Sequence, residues 1–273
     1  MVYVYDNRCT HQVQVLQRVI LMPSTFPLEI EEMILDILDE DDEGHSALKT
    51  CSFVCQAFLH ICRKHLFKNI VLNTISSPTT RAFERLLRKT PEIADYIRKL
   101  DFTIQVADLA NPTFQESWKR ISRLEFLRVQ PCTMLDWSNN PIRPVLLHLL
   151  HLPTLTHFKV HYFNDFVVSD LIPCVNLKYL DINFTTVAAE NTFPATLPEH
   201  LIHLNEFVYV AHIETSTVIM NLCTARRPDG LPIIDFGSLS KITVDIKEPI
   251  EREASQELFR HCHVLTNVHI TRK

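Results

Sequence analysis

The sequence predicts an α/β chain in two parts, a small module of three helices over residues 26–72 and an irregular solenoid of short strands and helices over residues 73–273. Three observations predict it. Apolar residues between Ile30 and Cys62 recur at three- and four-residue steps, the helical period. Beyond residue 96 a short apolar unit returns again and again at strand spacing. Only three glycines stand against fifteen prolines, which leaves little material for two-residue hairpins and marks many boundaries between short elements. The N-terminal extension, residues 1–25, matches neither pattern, and its structure is left unassigned.

Pro27 sits where a helix begins, since its missing N–H and fixed φ are tolerated there. Ile30, Met33, Ile34, Ile37 and Leu38 then share one face of a first helix, and Cys51, Val54, Cys55, Phe58, Ile61 and Cys62 share one face of the third. A unit of about forty residues buries too little surface to be comfortable alone. It needs the rest of the chain or a partner on its remaining apolar face. Nine acidic residues and no basic ones lie between Glu29 and Glu43, while nine Lys or Arg lie between Arg63 and Lys99. The plain reading of the acidic run is a solvated loop, Asp39 to Glu43, with electrostatic steering toward a basic partner as a secondary effect.

A helix is predicted from about Arg81 to Lys89, ended by Pro91. After it comes the recurring unit: an apolar residue, two others, an apolar residue, one other, an apolar residue. It occurs at Ile97-Leu100-Phe102, Leu124-Leu127-Val129, Leu155-Phe158-Val160 and Leu177-Leu180-Ile182. It returns at Leu204-Phe207-Tyr209, Leu239-Ile242-Val244 and Leu265-Val268-Ile270. Helix-like pieces lie between the copies, after Pro144, over Thr217 to Thr224 and over Glu251 to His261. Strands alternating with helices at this irregular period fit a degenerate leucine-rich-repeat solenoid, although any α/β protein also yields some apolar triplets. In that register Asp101, Arg128, Lys159, Asp181, Val208, Thr243 and His269 form an outward row on the strand face. A mixed row of this kind suits a protein surface rather than a polyanion, and a solvated face with no partner would look the same. Contacts to a target are assigned to the middle of the array: Arg128, His157, Lys159, Tyr179 and Asp181, with Tyr179 as the aromatic anchor.

The first module resembles the F-box, the adaptor-docking unit of cullin-based (SCF-type) ubiquitin ligases, and the chain as a whole looks like a fungal F-box-like protein with C-terminal degenerate leucine-rich repeats. The resemblance rests on Pro27-Leu28-Glu29, on Ile34, Leu38 and Leu48, on the segment from Leu48 to Phe58 and on the closing Arg63-Lys64-His65-Leu66-Phe67. Phe26 stands where the family usually has leucine and Phe58 where it often has tryptophan; both keep bulk and apolarity. The resemblance implies a substrate receptor. Pro27, Leu28, Ile34, Leu38, Leu48, Val54, Cys55 and Phe58 would dock the adaptor, and the repeats would hold a target protein. Ile34, Leu38 and Val54 can equally be internal core. The alternative is a protein-interaction scaffold outside any ligase, in which these helices merely cap the solenoid.

Composition excludes several other classes. A net charge of −5 gives no reason to expect nucleic acid. The longest uncharged apolar stretch, near Val145 to Phe158, is shorter than a membrane span and is interrupted by Pro153. Eight cysteines without a secretory leader read as reduced thiols, so an intracellular protein of cytoplasm or nucleus is expected. Cys51 and Cys55 read as small buried hydrophobes rather than a metal pair. His148, His151, His157 and His161 form the densest histidine run, but helix and strand would aim them to opposite sides, so no metal site is assigned. No hydrolase elbow, zinc-protease motif, phosphate loop or dinucleotide fingerprint occurs; no catalytic residue and no cofactor is assigned, and the protein is expected not to be an enzyme.

Overall fold

Short buried strands need neighbours on both sides, and in the computed structural model they find them in one sheet. The structure describes residues 27–40, 44–72, 78–104, 112–188, 193, 196–210, 218–246 and 249–272. The N-terminal extension and residues 41–43 of the acidic run lie outside the described residues. Eight strands pair in parallel, in the order of the chain: β1 (Asn69–Leu72), β2 (Lys99–Ile104), β3 (Phe126–Pro131), β5 (His157–His161), β7 (Tyr179–Asn183), β9 (Glu206–Val210), β11 (Lys241–Ile246) and β12 (Asn267–Arg272). The short strands β4 (Leu135–Asp136) and β6 (Phe163–Asn164) pair beside it, as do β8 (Ile202–His203) and β10 (Ile234–Asp235).

The register lines the apolar positions into rows. Leu100, Leu127, Phe158, Leu180, Phe207 and Ile242 are successive neighbours across the sheet, and so are Phe102, Val129, Val160, Ile182, Tyr209 and Val244. All twelve are buried, each contributing about 1.5–3 kcal/mol by leaving water. α4 (Pro78–Lys89) and α5 (Pro112–Trp118) cover the first strands, where Trp118 meets Phe83 edge-on at 6.0 Å and Phe102 at 4.5 Å. Further on, Trp137 packs between Phe163 and Phe166, and its Nε1 donates to buried Asp170 at 2.7 Å. Arg143, at the start of α6 (Arg143–Leu150), holds the same carboxylate at 2.8 Å.

The expected fold, a three-helix F-box-like module followed by a leucine-rich-repeat solenoid, is corrected by this architecture: the chain forms an α/β fold organised on one large parallel sheet. A solenoid requires each unit to cover its neighbour in the same way. Here the connections differ in kind. α5 joins β2 to β3; β4 and α6 join β3 to β5; β6 and a short 3-10 turn (Val168–Leu171) join β5 to β7. α7 (Val218–Thr224) and α8 (Pro249–His261) serve the last strands. Apolar triplets report a strand buried on a parallel sheet, whatever joins it to the next one. The last triplet departs even from that, because among the described residues β12 pairs with β11 alone, and Val268 and Ile270 are exposed.

The first helices, α1 (Leu28–Glu40), α2 (Gly44–Cys51) and α3 (Gln56–Leu66), pack around a small core of Leu35, Leu48, Ile61 and Cys62. They are continuous with the sheet: Phe67 packs on the main core, and Tyr96 Oη lies 3.4 Å from His60 Nδ1 on α3. The single stripe expected from Cys51 to Cys62 is broken. Thr50 Oγ1 and Ser52 Oγ donate to the carbonyls of Ser46 and Lys49, competing for the end of α2, and Cys55 is extended at φ −156° before α3 begins. The acidic run is partly engaged with α3 at the surface, since Glu32 pairs with Lys64 at 3.1 Å and Asp39 lies 3.2 Å from His65. No described helix is long and apolar enough to cross a membrane.

Candidate functional site

The chain presents two surfaces suited to binding. The first is on α1. Its inward stripe is Glu31, Leu35 and Leu38, spaced four and three residues apart. That leaves Ile30, Met33, Ile34 and Ile37 on the outside, with Met33 52% and Ile37 63% exposed. The turn between α2 and α3 adds Phe53 and Val54, both exposed. Six large apolar side chains in water on one small helical unit exceed the scattered exposure a surface normally carries.

The residues assigned to adaptor docking divide between surface and interior. Pro27, Ile34 and Val54 are exposed, and the side chain of Leu28 lies outside the described residues. Leu48 is fully buried, while Leu38 and Phe58 are half-buried against the small core; these three hold the helices together rather than face outward. Cys55 is half-buried at the start of α3. Ile30, Met33, Ile37 and Phe53 are exposed beside them and lie outside the expected docking set. For the three on α1 the signal is the helical period, which carries more apolar positions than its own core can occupy; Phe53, in the turn before α3, has no such signal.

The second surface is the polar face of the sheet. Arg128, Lys159 and Asp181 are register neighbours on β3, β5 and β7, and His157 and Tyr179 are neighbours one row away, so the five residues assigned to a target do come together. Phe126, His157 and Tyr179 form an aromatic ladder, with His157 and Tyr179 stacked at 5.5 Å. The Lys159 ammonium sits 5.0 Å from the Tyr179 ring centre and 5.9 Å from that of Phe126.

An open, outward Asp181 is corrected: it is 4% exposed. Its carboxylate receives Lys159 Nζ at 3.4 Å and the Tyr179 hydroxyl at 3.3 Å, and lies 3.2 Å from His161 Nε2. Long side chains from β5 and from β7 itself close over a short residue in the middle of the row. Arg128 is likewise engaged, to Asp101 at 3.1 Å and Gln130 at 2.8 Å. Burial, and then the charges of Asp181 and Glu206, raise the Tyr179 phenol above its ordinary range. Burial lowers His157, with Lys99 and Lys159 adding to the effect against Glu206 and Glu125. This is a rigid, internally neutralised platform rather than a bed of free charges.

One feature at the end of the sheet had no sequence signal. Tyr162 and Phe184, each immediately after its strand, adopt left-handed φ values of 61° and 50° and stack at 5.0 Å. That backbone region is unusual for aromatic residues and places two rings side by side at the rim of the polar face. The four clustered histidines point to different partners: His148 to the Ile121 carbonyl, His151 to that of Asp170, His157 to Tyr179 and His161 to Asp181. Among the described residues no group of three His, Cys, Asp or Glu is placed to hold a metal ion. No protein-family model matches the chain, and no curated protein does either.

Proposed function

We propose that the protein is a receptor subunit of a cullin-based ubiquitin ligase, docking the adaptor through α1 and the α2–α3 turn and a target protein through the polar face of the sheet. The observation that carries this reading is the outer stripe of α1, where Ile30, Met33, Ile34 and Ile37 stay exposed although Leu35 and Leu38 complete the internal core. An apolar helical face of this kind is laid into a groove of another protein. The F-box resemblance of residues 27–67 names the partner. The receptor performs no covalent chemistry; it raises the local concentration of a target near the ligase. The aromatic ladder and its cation, fixed in place by Asp181, give the target a preorganised surface.

The experiment is capture of the full chain on immobilised adaptor subunit, wild type against Ile34→Asp with Ile37→Asp. The pair is exposed, so the melting temperature should stay within about 2 °C while capture is lost. Capture of both proteins alike, or of neither, overturns the ligase reading. Failure of wild type to bind the adaptor, combined with stable capture of other proteins through the same stripe, establishes the scaffold instead.

A further inference from the structure

Where the first helices meet the sheet there is a cavity of about 440 Å³, within the range of about 300–1,000 Å³ typical of small-molecule sites. Neither binding surface above includes it. Lys64 and Lys68 line it from α3 and the residues just after, and Arg98 and Arg123 from the segments leading into β2 and β3. Glu32 and Asp36 of α1 complete the charged lining, but Glu32 is engaged by Lys64 at 3.1 Å and Asp36 lies 3.4 Å from His65.

Of the two arginines, Arg98 is fixed in place and Arg123 is the one left without a counter-charge among the described residues. Arg98 is one-fifth exposed and fixed, its Nη1 donating to the carbonyls of Asp95 at 2.7 Å and Ile97 at 3.2 Å. Its carboxylate neighbour Glu125 is 3.6 Å away. Arg123 has no carboxylate partner among the described residues. Burial and then the Arg123 charge lower the pKa of Arg98, against Glu125 and Asp95. Two guanidiniums that line one cavity, one of them already oriented, can both donate to an oxyanion placed between them. The carboxylates along the α1 side, together with the net charge of −5, disfavour a long polyanion.

We propose that this cavity binds the phosphoryl group of a small, freely diffusing molecule, held chiefly by Arg98 and Arg123, with Lys68, whose ammonium lies 3.7 Å from Asp39, at its edge. The site is independent of adaptor docking. The test is calorimetric titration of the full chain with pyrophosphate at constant ionic strength, with sodium chloride as the reference. Wild type should bind saturably, and Arg123→Ala should weaken binding about tenfold or more. Arg123 is exposed and ties no backbone, so the ligand-free melting temperature should not move. Lys178→Ala, an exposed cation outside the cavity, should bind as wild type does. Heat no greater than that of sodium chloride, or equal losses in the two variants, overturns the site. Adaptor capture by Arg123→Ala, run in parallel, should be unchanged, which separates failure of this site from failure of the receptor reading.

Discussion

Replacing Asp181 by alanine separates a buried hub from an open face. A solvated aspartate would cost within about 0.5 kcal/mol. The carboxylate is instead 4% exposed and is shared by Lys159, His161 and Tyr179. Removing one side of a buried charge pair costs about 3–5 kcal/mol when the other charge is left without water. Lys159 keeps 28% of its side chain exposed and two aromatic faces to lie on, so the value belongs below that range. Removing Asp181 also removes its own desolvation. We therefore expect about 2–3 kcal/mol, which for a chain of this size lowers the melting temperature by roughly 4–12 °C. Asp181→Asn, which keeps the volume and an acceptor for Tyr179, should lose about half as much. Differential scanning calorimetry reads both, with the half-exposed Lys241→Ala as a surface control. A drop under about 2 °C for Asp181→Ala would show that the carboxylate is solvated and that the polar face is not preorganised.

The lowered pKa of His157 gives a pH dependence of definite sign. Folding disfavours the charged imidazole, so the native group takes up its proton at lower pH than the unfolded chain, which protonates near 6.5; its contribution to stability is present above that pH and falls as pH drops below it. The fall in melting temperature between pH 6.5 and 5 should be shallower in His157→Gln; an unchanged slope would place the dependence on other groups. The thiols should divide by burial. Alkylation at pH 8 should modify exposed Cys132 quickly and leave Cys62, pushed up to about 11, and Cys174, raised further, unmodified until the protein unfolds. Equal rates at all three, read by mass spectrometry, would contradict the core.

Legibility followed the range of the physics. Leu100, Leu127 and Leu180 announce buried strands because alternation along a strand is local, and a register shift of one residue would turn the whole set outward. Their sequence does not say what lies between the strands, so the triplets suggest a repeating solenoid where the connections are unlike one another. Arg128, His157, Lys159, Tyr179 and Asp181 were legible as one patch because parallel neighbours bring equivalent positions together. Their state was not legible: Asp181 is covered by side chains from two strands, and no reading along one strand contains that.

The same limit separates the two stripes of α1. Helical period alone put Ile30, Met33, Ile34, Ile37 and Leu38 on one face; only packing decided that Leu38 turns inward with Leu35 and that the other four are left to water. A helix of thirteen residues against two short partners has core enough for one stripe. Likewise the charges of Arg63 to Lys99 stand in the sequence as a basic run. It took the contact of α3 with the segment entering β2 to set Lys64 and Lys68 across a cavity from Arg98 and Arg123. Composition and period are properties of the chain taken a few residues at a time. Burial and charge balance belong to groups brought together from distant positions, and so they exist only once the chain has folded.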